Sequence, residues 1–83
     1  MFLTFPILAN AQVVLLRVDK NTGHVLDENF LIATTENQKV WTIFENLDIA
    51  TNIAHSIIKI RTDIECSIFD GNQNLVRFVS PNQ

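Results

Sequence analysis

The chain predicts a small α+β domain: a mostly antiparallel sheet of four to five strands with one helix packed on one face, in the order β-β-(β)-β-α-β-β. Three observations carry this. Leu47, Ala50, Ile53, Ala54, Ile57 and Ile58 recur at three- and four-residue steps, which places them on one helical stripe. Apolar and β-branched runs of strand length precede and follow that stripe, at 40–44, 64–69 and 75–79. Clusters of turn-forming residues separate the runs at 19–23 and 70–74.

The elements follow in order. Residues 13–18 form a first strand, and Asp19, Asn21 and Gly23 supply the turn chemistry of a hairpin whose return strand is 24–26. Asp27 and Glu28 interrupt it, and residues 30–35 read as a further short strand or an irregular packed segment. A polar stretch at 36–39 leads to the strand at 40–44. Asn46 is the expected helix N-cap, with Asp48 in the first turn and Lys59 and Arg61 in the last, each placed to oppose the helix macrodipole. Thr62 and Asp63 close a helix of about 15 residues, roughly four turns. Strands 64–69 and 75–79 then form a hairpin across the loop at 70–74, and Pro81 stops the last strand. The helix between 40–44 and 64–69 would let those strands lie parallel as a crossover in a mixed sheet.

At 83 residues the chain is one domain, 1–83. A domain this small buries only about 60–65% of the surface its unfolded chain exposes. The single cysteine, Cys66, leaves no intrachain disulfide, and His24 and His55 lie far apart in sequence, so neither a disulfide nor a structural metal is expected to reinforce it. Hydrophobic residues make up 47% and charged residues 18%, against about 25% charged in ordinary soluble domains. That balance points to apolar surface buried against a partner. The net charge is −3, with the six basic residues Arg17, Lys20, Lys39, Lys59, Arg61 and Arg77 dispersed, so neither nucleic acid nor an anionic membrane is an expected partner.

Residues 1–12 form an apolar N-terminal extension broken by Pro6. Ala9, Asn10 and Ala11 have the small-x-small form of a signal-peptidase site, which would make residues 1–11 a clipped signal remnant of a secreted or periplasmic protein. The missing basic n-region and the lone cysteine favour the plain extension and a cytoplasmic protein.

No catalytic constellation emerges. Asp19, Asn21 and Gly23 start like a calcium loop, but the twelfth position is Phe30 where a bidentate Glu is needed. Cys66 alternates with Ile64 and Ile68 in the manner of a core residue. With two glycines, Gly23 and Gly71, there is no phosphate-binding loop. No enzyme activity, catalytic residue, cofactor or metal site is expected. The leading expectation is a non-enzymatic interaction module that acts through a sheet face or edge strand, as a homodimer or as a partner-binding protein of inhibitor or immunity type. The alternative is a small ligand-binding or enzymatic domain with a helix–sheet pocket near Cys66, His55 and Trp41.

Strand phase supplies the candidate surface. With Leu16, Ile68, Val76 and Phe78 under the helix, the opposite face would present Leu15, Phe69, Leu75 and Val79 as a candidate interface. One helix covers one face only, so the other must be covered by residues 1–12, by residues 28–36, or by another molecule.

Overall fold

The structure is a computed structural model that describes residues 4–81. Its elements are β1 (Val13–Asp19), β2 (Val25–Leu26), β3 (Trp41–Phe44), α1 (Leu47–Ile60), β4 (Ile64–Phe69) and β5 (Leu75–Val79). They form a single α+β domain, a five-stranded antiparallel sheet with one helix against it. β1 is central. β4 runs along the whole of one side of it, with Leu15 opposite Ile68 and Arg17 opposite Cys66. The other side is shared: β3 lies beside the first half, with Leu15 opposite Thr42, and β2 lies beside the second, with Arg17 opposite Leu26. β5 is the outer partner of β4.

Local chemistry accounts for each connection. In the first hairpin the Asp19 carboxylate accepts from the N–H groups of Asn21 at 2.8 Å and Thr22 at 3.1 Å. Gly23 takes the left-handed conformation there, with φ 78°. α1 starts at its Asn46 cap, whose Oδ1 accepts from the Ile49 N–H at 2.9 Å. It ends where Arg61 turns extended and donates its N–H to the Ile57 carbonyl at 2.8 Å. In the second hairpin the Asp70 carboxylate accepts from the N–H groups of Asn72 and Asn74, and Gln73, not Gly71, holds the left-handed position with φ 65°.

The core lies between α1 and one sheet face. Val13 and Leu15 of β1, Ile64, Cys66 and Ile68 of β4, and Val79 of β5 pack under Ala50 and Ala54. These two alanines are the buried residues of α1, and their small side chains let the helix backbone close on the sheet.

The structure decides two open alternatives and corrects one expectation. β3 and β4 run in the same direction, but β1 lies between them, so the sheet is wholly antiparallel and not mixed. Of the two alternatives for residues 30–35, the irregular packed segment is the one observed. Phe30 sits at φ 64° and only Ile32 makes an isolated bridge, to Leu26. The phase of β1, and of β5 beyond Val76, is the reverse of the expected one. Leu15 and Val79 lie under the helix, 0% and 2% exposed, whereas Leu16 pairs with Trp41 and Ser67, and Phe78 with Ser67, on the opposite face. β4 keeps its expected phase. The reversal in β5 arises from a bulge: Ile68 pairs with Arg77 and Phe69 with Leu75, which leaves Val76 as the extra residue.

Candidate interaction surface

β5 is the most exposed strand. Leu75 is 55% exposed, Phe78 39% and Val76 37%, and Arg77 is exposed as well. Its inner side pairs with β4, and among the described residues no strand pairs with its outer side. Such an edge presents main-chain N–H and C=O groups to solvent, and apolar residues along it make it adhesive. Of the four residues expected at the interface, Phe69 and Leu75 lie on the sheet face away from α1. Leu15 and Val79 belong to the core and offer no surface.

The opposite face is covered at one end by the chain itself. Phe5 packs edge-on against Trp41 at 5.3 Å and Phe69 at 6.2 Å, and those two rings lie 6.2 Å apart. Val14 beneath, paired with Phe69 and Ile43, is fully buried. A turn then leads the segment into β1: Gln12 donates its N–H to the Ala9 carbonyl at 3.1 Å, its side-chain Oε1 accepts from the Ala9 N–H at 2.7 Å, and Ala11 takes φ 69°. Ala9, Asn10 and Ala11 thus form the turn into β1. Residues 1–3 of the extension lie outside the described residues. The other candidate cover acts elsewhere, since Phe30 packs against the core under α1.

The alternative pocket does not assemble. Cys66 is buried under α1, Trp41 lies on the opposite sheet face, and His55 is exposed on the outer side of the helix. Burial pushes the Cys66 thiol up to about 11, against a smaller opposing effect of Arg17, so it stays protonated at neutral pH. The Trp41 indole nitrogen is buried without a hydrogen-bond partner among the described residues.

Sequence reasoning missed Arg17. It is 4% exposed and sits where β2 gives way to β3 beside β1. Its Nε donates to the Asp27 carbonyl at 3.1 Å, and its terminal nitrogens donate to the Thr42 hydroxyl at 2.8 Å and the Val40 carbonyl at 3.0 Å. The Thr42 hydroxyl in turn donates to the Glu28 carboxylate at 2.9 Å. Burial lowers the guanidinium from its usual value, opposed by Glu28 and then by Cys66 and Asp27. The Asp27 carboxylate accepts from Gln38 Nε2 and from the N–H groups of Asn29 and Leu31. Gln38 first, then Leu31, draws its pKa below the ordinary carboxylate value. The network ties the 27–42 segment to β1. A charged residue after four apolar ones was the only local sign of it, because its partners come from 10 to 25 residues away.

Among the described residues, two of the grooves border α1. One, of about 260 Å³, is apolar and lined by Phe30, Ile53, Ile57 and Ile60, with Arg61 at 5.7 Å from the Phe30 ring. Arg61 is engaged by Asp63, with Nε donating at 3.0 Å. The other is lined by His55, Lys59, Thr62 and Pro81. Among the described residues no group of three or more His, Cys, Asp or Glu could hold a metal ion, and no helix is long and apolar enough to cross a membrane. No family model matches the chain, and no curated protein or solved structure shows significant similarity to it.

Proposed function

We propose that the chain is a non-enzymatic protein-interaction module that works through the free edge of β5 and the apolar side chains beside it. The observation that carries this is β5 itself: a sheet-terminal strand with four of its five residues exposed, three of them large and apolar. Native domains usually blunt such an edge with charge, proline or a covering segment. β5 carries a single charge, Arg77, and a bulge at Val76, and among the described residues no strand pairs with its outer side. The residues that could have formed a reactive pocket are instead apart, with Cys66 protonated in the core.

Affinity purification from the native host tests the reading, using the intact chain alongside Phe78→Glu and, as an exposed apolar control, Ile60→Glu. A partner retained by the intact chain and by Ile60→Glu, but lost by Phe78→Glu, supports it. Equal recovery with all three chains, or no partner and a monomer at high concentration, refutes it.

A further inference from the structure

We infer that β5 accepts an extended strand from another protein, in an apolar–acidic–apolar pattern whose carboxylate faces Arg77. This rests on the reading of β5 as the interaction edge and names the occupant of that edge.

Register restricts where a strand can be added. The bulge at Val76 interrupts the β4–β5 ladder, while Arg77, Phe78 and Val79 pair regularly with Ile68, Ser67 and Cys66. Pro81 follows two residues later and has no N–H to donate. The added strand therefore forms its main-chain hydrogen bonds chiefly over 77–79. Strand addition to a sheet edge draws affinity from those bonds and specificity from alternate side chains.

Alternation then sets the pattern. Arg77 shares the face of Ile68, toward the helix side, and Phe78 shares the face of Ser67 with Leu75 and Phe69. The incoming residue opposite Arg77 projects to the helix side. Its two neighbours project to the other face, against Phe78 on one side and Leu75 on the other. Arg77 is the only charged residue of β5 and makes no ion pair among the described residues. Directly opposed unlike charges favour strand pairing and like charges oppose it. An acidic residue between two apolar ones satisfies all three positions.

The same charge argues against a second copy paired about Arg77. β5 contains no carboxylate. Two β5 strands meeting antiparallel about Arg77 would set one guanidinium directly against the other. The chain's net charge of −3 does not cancel the local preference, since distant charges are screened over about 8 Å at physiological ionic strength.

The test titrates the full chain, by amide-resolved NMR, with three short peptides. They are Thr-Val-Glu-Val-Thr, its Lys-centred counterpart, and the Glu peptide with alternate main-chain amides N-methylated. Shifts over 75–79 and 66–68, at least fivefold tighter binding of the Glu peptide than of the Lys peptide, and loss on N-methylation are expected. Arg77→Glu, whose fold is checked through Trp41 emission, should reverse the preference. Equal binding of the Glu and Lys peptides at β5 overturns the acidic pattern and leaves the module reading standing. A β5-mediated dimer of the free chain also overturns it, again leaving the edge as an interface. Absence of any peptide response at β5 overturns the inference, and if Phe78→Glu also leaves partner recovery unchanged, the module reading falls with it.

Discussion

Phe5→Ala measures how much the N-terminal cover contributes. Full burial of a phenylalanine is worth about 1.5–3 kcal/mol, and Phe5 is mostly buried, so its burial accounts for about 1–2.5 kcal/mol. Its edge-to-face contacts with Trp41 and Phe69 are worth about 0.5–1.5 kcal/mol each beyond area. One effect opposes: removal of the ring lets water reach the indole N–H of Trp41, buried without a partner among the described residues, and relieves about 1 kcal/mol of desolvation. The net expected loss is about 1–4.5 kcal/mol. A domain of this size has a total stability of about 4–12 kcal/mol, so the loss is large, and it should lower Tm by about 10 °C. Trp41 is the only tryptophan, which makes its emission a direct report on the cover. The variant should show red-shifted emission and greater quenching by acrylamide before any unfolding. Deletion of residues 1–11 should act in the same direction and promote self-association, because it bares Val14 and Phe69. An unchanged Tm together with unmoved Trp41 emission would refute the reasoning and assign the burial of Val14 to something other than the N-terminal segment.

Three further outcomes are expected. Asn46→Ala should cost about 1 kcal/mol through loss of the cap on Ile49, and an unchanged urea midpoint would show that the cap is energetically silent. Cys66→Ser should cost about 1–3 kcal/mol by burying an unpaired hydroxyl, and the native thiol, with its pKa near 11, should react with a disulfide reagent at pH 8 only as fast as the protein opens; prompt labelling would place Cys66 outside the core. The depressed Asp27 pKa gives stability that is fully present above the unfolded carboxyl value of about 4 and is lost as pH falls through the lower folded value, so the urea midpoint should drop between pH 5 and pH 2 and drop less steeply in Asp27→Asn; parallel slopes would exclude Asp27 as a source of acid lability.

How legible each element was depended on how local its cause is. The helix, its Asn46 cap and both hairpins are set by residues within a few positions of one another. Cys66 was legible as core because Ile64 and Ile68 flank it with the right period. The phase of β1 was not, because Val13 and Leu15 are as apolar as Val14 and Leu16. The charge of Arg17 pointed its face outward, and only the polar lining supplied by Asp27, Val40 and Thr42 lets it turn inward. The phase of β5 was hidden by the bulge at Val76, a mismatch between two strands that neither strand's own sequence displays. Half of the expected interface, Leu15 and Val79, was misplaced on that account, while Phe69 and Leu75 lie on the face away from α1.

By itself, then, the sequence determined the class of the domain, the order and approximate limits of its main elements, and the presence of more apolar surface than one helix can cover. The tertiary structure decided which surface that is. A helix is about 10–12 Å across, and strands stand about 4.8 Å apart, so α1 spans only part of the sheet's width. The 27–42 segment closes the side at Arg17, the N-terminal segment closes one end of the other face through Phe5, and β5 is left at the margin. Those assignments depend on pairings between residues tens of positions apart, whose free energies are settled by mutual burial and by nothing that either partner carries alone.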